Sequence, residues 1–146
     1  MSIKEKIQGA IKDAMKNKDA TRLECLRMAK GALLVKEKAS ADDLTNEVEV
    51  ATMRAEVRKR QQSVDIFRDL GKEDEAAAAE QEIRVLEEFL PQQLSEEDLE
   101  AKVRAHLADN PEINHPGKLT GAMKKELGDL ADGKMLNAVC RKVLGQ

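Results

Sequence analysis

The sequence predicts an all-α protein, four helices followed by three shorter ones, and three observations carry that expectation. Aromatic residues are nearly absent: Phe67 and Phe89 are the only two, and there is no Trp or Tyr. A core must then come from Leu, Ile, Val, Met and Ala, which pack well between helices and furnish sheets poorly. Only eight Gly and three Pro punctuate the 146 residues, so the elements between them are long. Apolar residues also recur at helical spacing along most of the chain.

In the first helix Ile3, Ile7, Ile11 and Ala14-Met15 follow one another at three to four residues, which places them on one face. Asn17-Lys18-Asp19 breaks it, and Asp19 is positioned to cap the second helix. That helix carries Leu23, Leu26, Lys30, Leu33 and Leu34 as its stripe and runs to about Lys38. Residues 39–46 have turn composition, with Thr45 or Asp43 as candidate caps. The third helix, about residues 46–70, ends at Gly71. Its apolar positions Val50, Met53, Val57, Val64 and Phe67 follow a heptad spacing that Arg60 or Gln61 interrupts. The fourth starts at residue 72 or 73 with an acidic first turn, which the helix dipole favours, and runs to Phe89. Ala79, Ile83, Leu86 and Leu90 form its stripe, and the short connection at Gly71 makes helices three and four antiparallel neighbours.

Pro91 stops the fourth helix, because a proline disfavours α geometry in the residue before it. Ser95-Glu96-Glu97-Asp98 opens the fifth in capping-box style, flanked by Leu94 and Leu99 at the staple positions. Leu99, Val103, His106 and Leu107 line this helix, which ends by Asn110-Pro111. A loop over residues 109–117 contains Pro111, Pro116 and Gly117. The sixth helix holds Leu119, Ala122-Met123 and Leu127; Ala131-Asp132-Gly133 turns the chain; residues 134–144 form the seventh through Met135-Leu136, Val139 and Val143. The expected organisation is a four-helix N-terminal domain over residues 1–90 and a small three-helix C-terminal domain over 91–146, with a hinge at about 90–95.

Composition narrows the function classes. With 41% hydrophobic and 36% charged residues, the chain is neither disordered nor a membrane protein in type. No stretch approaches the roughly 18 apolar residues of a span. The opening residues carry charges every few positions, unlike a signal peptide. A cytoplasmic protein is expected. Cys25 and Cys140, far apart and in no CxxC pair, read as small buried residues in a reducing compartment. Charge is uneven: residues 1–72 carry 16 basic and 12 acidic groups, 73–110 carry 3 and 12, and 111–146 carry 6 and 4. A partner that seeks positive charge would avoid the acidic middle.

No catalytic constellation is visible. A nucleophile needs a base that a third group orients, and the only histidines are His106, on the inward stripe of the fifth helix, and His115, in the Pro-containing loop. His106 reads as a satisfied, partly buried imidazole and His115 as a surface residue. Gly-x-Ser-x-Gly, Walker A, dinucleotide-binding glycines and metal-ligand spacings are absent. Glu80, Glu87 and Glu88 read as a solvated helix face. No cofactor and no metal is expected. The positive signal is basic. Arg54, Arg58, Lys59 and Arg60 crowd two turns of the third helix, and Lys118, Lys124, Lys125 and Lys134 gather around the C-terminal glycine-containing turns. Backbone amides at a helix start near Gly117 are placed to join those lysines in holding phosphates. The competing reading is ordinary surface charge. With no aromatics for base stacking, nucleic-acid binding would address backbone and shape.

Several stretches resemble the GatB/YqeY family. Arg22-Leu23-Glu24-Cys25-Leu26-Arg27-Met28 is similar to its Arg-x-x-x-Leu-Arg segment. Arg60, Ser63 and Phe67 match a Lys-Gln-Arg-x-x-Ser-x-x-x-Phe pattern. Residues 80–95 resemble Glu-x-Glu-Ile-x-x-Leu-x-x-Tyr-Leu-Pro-x-Gln-Leu-Ser, and Gly117, Lys118 and Ala131-Asp132-Gly133 keep the family's C-terminal spacing. Thr120 replaces the usual Met, and Asp129 stands where Gly is usual, an added negative charge beside the basic turn. The resemblance implies two helical domains and kinship with the tail of the B subunit of the glutamine-dependent amidotransferase that acts on misacylated Glu-tRNA or Asp-tRNA. In that enzyme the tail helps to hold tRNA while other domains, missing here, do the chemistry. A carbon–nitrogen ligase label with glutamine as amido donor is therefore inherited, and no residue of this chain carries it. The leading expectation is a non-catalytic tRNA-binding module, with an amidotransferase or tRNA synthetase component as further partner, contacting phosphate through Arg54, Arg58, Arg60, Lys118, Lys124, Lys125 and Lys134. The alternatives are a protein-interaction adaptor using the acidic fourth helix or the hinge, and an accessory component active only in a complex.

Overall fold

Capping side chains set most of the helix starts. In the computed structural model, which describes residues 1–39 and 44–146, Ser2 caps α1 (Ile3–Lys16) by accepting from the Glu5 amide. Asp19 Oδ1 accepts from the Arg22 amide at the start of α2 (Ala20–Ala39). Thr45 Oγ1 accepts from the Val48 amide (3.2 Å) and starts α3 (Asn46–Asp69); Asp43, the other candidate cap, lies outside the described residues. Gly71, at φ 72°, takes the left-handed turn that a Cβ would resist, and α4 (Glu73–Glu87) follows. Ser95 Oγ accepts from the Asp98 amide and opens α5 (Glu96–Asp109). α6 (Pro116–Leu127), a 3-10 turn (Gly128–Leu130) and α7 (Gly133–Val143) complete the chain. Every regular element among the described residues is helical.

The chain divides into two compact units, Met1–Leu90 and Pro91–Gln146. In the first, one core joins Ile3, Ile7 and Ala14 of α1, Cys25, Leu26, Ala29 and Leu33 of α2, Val50 and Met53 of α3, and Val85 and Leu86 of α4. A smaller cluster between α3 and α4 holds Val64, Ala76, Ala79 and Ile83. The second unit closes around Leu99, Val103, Leu119, Met123, Leu136, Val139 and Cys140. Leu94, one residue before the Ser95 cap, packs against the same core as Leu99, and its amide donates to the Leu130 carbonyl (2.8 Å).

Three local expectations need correction. The fourth helix ends at Glu87 rather than Phe89, with Phe89 and Leu90 in i→i+3 turn bonds to Leu86 and Glu87. A proline ring clashes with the carbonyl four residues earlier, which here is Glu87. Pro116 lies inside the sixth helix, at its first position, where its missing N–H costs nothing. Met15, placed on the inward face of the first helix, is 54% exposed, while Ala14 beside it is buried.

Candidate nucleic-acid interface

The seven basic residues singled out above fall into two sets. On α3, Arg54 is partly buried, Arg58 is exposed and Arg60 is buried at 7% exposure. Residues four apart share a helical face, whereas Arg58 and Arg60 differ by about 200°. Arg60 therefore points away from solvent. Its Nε donates to Glu82 Oε2 (3.1 Å), and its Nη1 donates to the Glu56 carbonyl (3.0 Å) and lies 3.4 Å from Glu56 Oε1. Glu56 also takes Lys59 Nζ at 3.0 Å. The expectation that Arg60 sits with Arg54 and Arg58 on a phosphate-facing surface does not hold: its guanidinium ties α3 to α4.

The second unit keeps its basic residues at the surface. Lys118, Lys124, Lys125 and Lys134 are all exposed. Lys118 and Lys125 stand seven residues apart on α6, within about 20° of each other, while the opposite side buries Pro116, Leu119 and Met123. Lys124 reaches across to the start of α7: its Nζ lies 3.2 Å from where a Cβ on Gly133 would stand. Lys134 follows Gly133 in the first turn of α7. An ammonium group and the positive end of a helix dipole thus meet at one edge, where an anion is favoured. Asp132 caps α7 by accepting from the Met135 amide (3.0 Å). Glu126, the acid on α6, lies with its Oε2 3.4 Å from His106 Nδ1, the satisfied, partly buried imidazole that was expected. Asp129 sits in the 3-10 turn, its backbone carbonyl accepting from Gln93 Nε2.

Gly117 plays a different part from the one its sequence suggests. Its amide donates to His115 Nδ1 (3.1 Å), so the imidazole caps α6 and already occupies the N–H expected to meet phosphate. A Cβ on Gly117 would stand 3.1 Å from that ring, so a larger residue there would press on the capping imidazole. His115 is exposed, as expected, but it is also a helix cap. The Asx-type signal for an N-cap does not include histidine, and so this role was not legible.

A second feature lies in the first unit. A cleft of about 130 Å³ opens between the start of α2 and the middle of α4, lined by Asp19, Thr21, Arg22, Cys25, Gln81, Glu82 and Val85. Arg22 forms a two-point pair with Glu88 (2.6 and 3.4 Å), and Arg68 pairs with Glu80, so two acids read as solvated have partners. Cys25 lies at the base, 2% exposed, its Sγ 3.8 Å from the Glu82 carbonyl. Burial pushes its thiol above the ordinary value, with Arg60 and Arg22 opposing only in part. Burial raises the Cys140 thiol too. A protonated, buried thiol is a poor nucleophile, and both histidines belong to the other unit. The expected result is that a disulfide reagent titrates neither cysteine rapidly in the native protein and both after unfolding. Fast native reaction at Cys25 would show that this cleft opens.

No described helix is long and apolar enough to cross a membrane. Among the described residues, no group of three or more His, Cys, Asp or Glu is arranged to hold a metal ion. Compared with protein families, the chain matches the model described as "Yqey-like protein" over residues 4–144. No curated protein matches it.

Proposed function

The chain belongs to the YqeY-like family, and from that premise we propose that it is a non-catalytic tRNA-binding module. The phosphate backbone is held by Lys118, Lys124, Lys125 and Lys134 of the unit Pro91–Gln146. One observation carries the reading: these four lysines are exposed along α6 and the first turn of α7, where Lys124 reaches over the amino end of α7. Arg54 and Arg58, one turn apart on α3, are the further contacts; Arg60 is left out because its charge is spent on Glu56 and Glu82. The resemblance to the amidotransferase tail supports tRNA as the nucleic acid and a cytoplasmic setting. It also supports an amidotransferase or tRNA synthetase component as the partner that would supply chemistry.

Phosphate contacts release counterions, so the logarithm of the binding constant falls linearly with the logarithm of salt concentration. Titrating tRNA across salt concentrations, with the Lys118→Ala, Lys124→Ala, Lys125→Ala and Lys134→Ala changes combined, is expected to reduce that slope by about four. An unchanged slope, or no binding by the unaltered protein at low salt, overturns the proposal. Ammonia release from glutamine by the isolated protein would overturn the non-catalytic part.

A further inference from the structure

α2 carries an outer face that its own unit leaves open. Glu24, Met28, Gly31, Val35 and Lys38 recur at intervals of four, three, four and three, and all are exposed. On the opposite side Leu26, Ala29 and Leu33 are completely buried. Met28 and Val35 are the large apolar side chains that α2 leaves exposed, at 53% and 68%. Gly31 is the centre of the series. A Cβ there would meet nothing within 4 Å, so nothing in the unit's own packing calls for glycine. Glycine in a helix interior is destabilising relative to alanine. A glycine kept in the middle of a twenty-residue helix, on its solvent side, suits the close approach of another backbone.

We propose that this face docks a second copy of the chain, with the two α2 helices antiparallel about a two-fold axis at Gly31. A two-fold interface brings together residues equidistant from the axis. Glu24 precedes Gly31 by seven residues and Lys38 follows it by seven, each about 10 Å from the axis along the helix. Each Glu24 therefore meets the partner's Lys38. Met28, three residues before Gly31, and the partner's Val35, four after it, are offset by a single residue rise of about 1.5 Å, so they pack side by side, and this contact also occurs twice. The two Gly31 residues cross where no Cβ holds the backbones apart. Arg27, exposed at the flank, lies opposite the partner's Val35, where its aliphatic stem can cover the seam. A parallel pairing would set Glu24 against Glu24 and Lys38 against Lys38, so charge selects the antiparallel register. A lipid or nucleic-acid surface would meet Glu24 as a like charge. The self-complementary order of one acid and one base about a glycine fits a second copy instead.

One pair of twenty-residue helices buries less than the roughly 1,200 Å² of a standard interface. Association is therefore weak, with a dissociation constant on the order of 100 µM. Sedimentation velocity of the full chain from about 10 µM to about 1 mM, spanning that value, is expected to show a rising dimer fraction. Glu24→Lys and Lys38→Glu each convert two attractive pairs into repulsive ones and should weaken the dimer by about tenfold. The two together restore the pairing in swapped sense and should return the dimer to near its original strength. Gly31→Leu should abolish the dimer while leaving the circular dichroism of the monomer unchanged, because the position is open. A chain that stays monomeric through the range, or a double variant that does not recover, overturns the proposal. Either outcome leaves the tRNA reading untouched, since that reading uses other residues.

Discussion

Arg60→Ala is expected to lower the unfolding free energy by about 3 kcal/mol, the lower end of what removing one partner from a buried ion pair costs. The lower end applies because the two carboxylates are not stranded equally. Glu56 has a side chain 11% exposed and keeps Lys59 at 3.0 Å, whereas Glu82 is 36% exposed and can turn to water. The network also occupies a particular level of the first unit. Val57 packs against both hydrophobic clusters, and Arg60 follows it on α3 before Val64, which belongs to the smaller cluster alone. Arg60→Lys keeps the charge but not the fork that reaches two acids from one planar group, and should fall between wild type and alanine. The urea midpoint measures the loss. In the tRNA titration of protein that remains folded, Arg60→Ala should leave the salt slope unchanged, unlike the lysine substitutions. A stability change of less than about 1 kcal/mol, the range of an exposed pair, would show that Arg60 is a surface residue after all.

The Arg60 outcome shows how much of the site was readable. Met53, Val57, Arg60, Val64 and Phe67 are spaced by four, three, four and three, so the heptad frame already placed Arg60 on the inward seam. Reading it as one of a basic run set composition above periodicity. The partner that makes an inward arginine tolerable, Glu82, is 22 residues away on another helix, and no local pattern announces it. Helix starts were legible for the opposite reason. Thr45 and Ser95 act on amides three residues away, within the reach of a sequence window. On α2 the apolar stripe left out Ala29, which is completely buried, and Cys25, whose burial was expected from its residue type alone. α1, α3 and α4 all contribute to the core that α2 faces, so its covered sector is wide, and small residues fill part of it. The exposure of the C-terminal lysines followed from charge. The reach of Lys124 to Gly133 did not, because it depends on how α6 meets α7.

Leu136→Ala should be among the most destabilising single changes in the second unit. Leu136 is completely buried on α7 and shares its core with Leu99 and Val103 of α5 and Leu119 and Met123 of α6. Deleting a buried leucine side chain costs about 2–5 kcal/mol, including the cavity that remains. A unit the size of Pro91–Gln146 has about 3–8 kcal/mol of stability to lose, at 0.05–0.15 kcal/mol per residue. Both aromatic residues lie in the first unit, and each unit holds one free, buried cysteine. Hydrogen exchange should therefore show amides of α5, α6 and α7 losing protection by about a hundredfold, equivalent to roughly 3 kcal/mol. Leu136→Met nearly conserves volume and should cost less than about 1.5 kcal/mol. The substitution touches none of the lysines. If tRNA affinity falls with the loss of protection, binding needs the folded arrangement of α6 against α7. If affinity is unchanged, positive charge alone suffices, and the placement of Lys124 over the start of α7 has no role in holding phosphate.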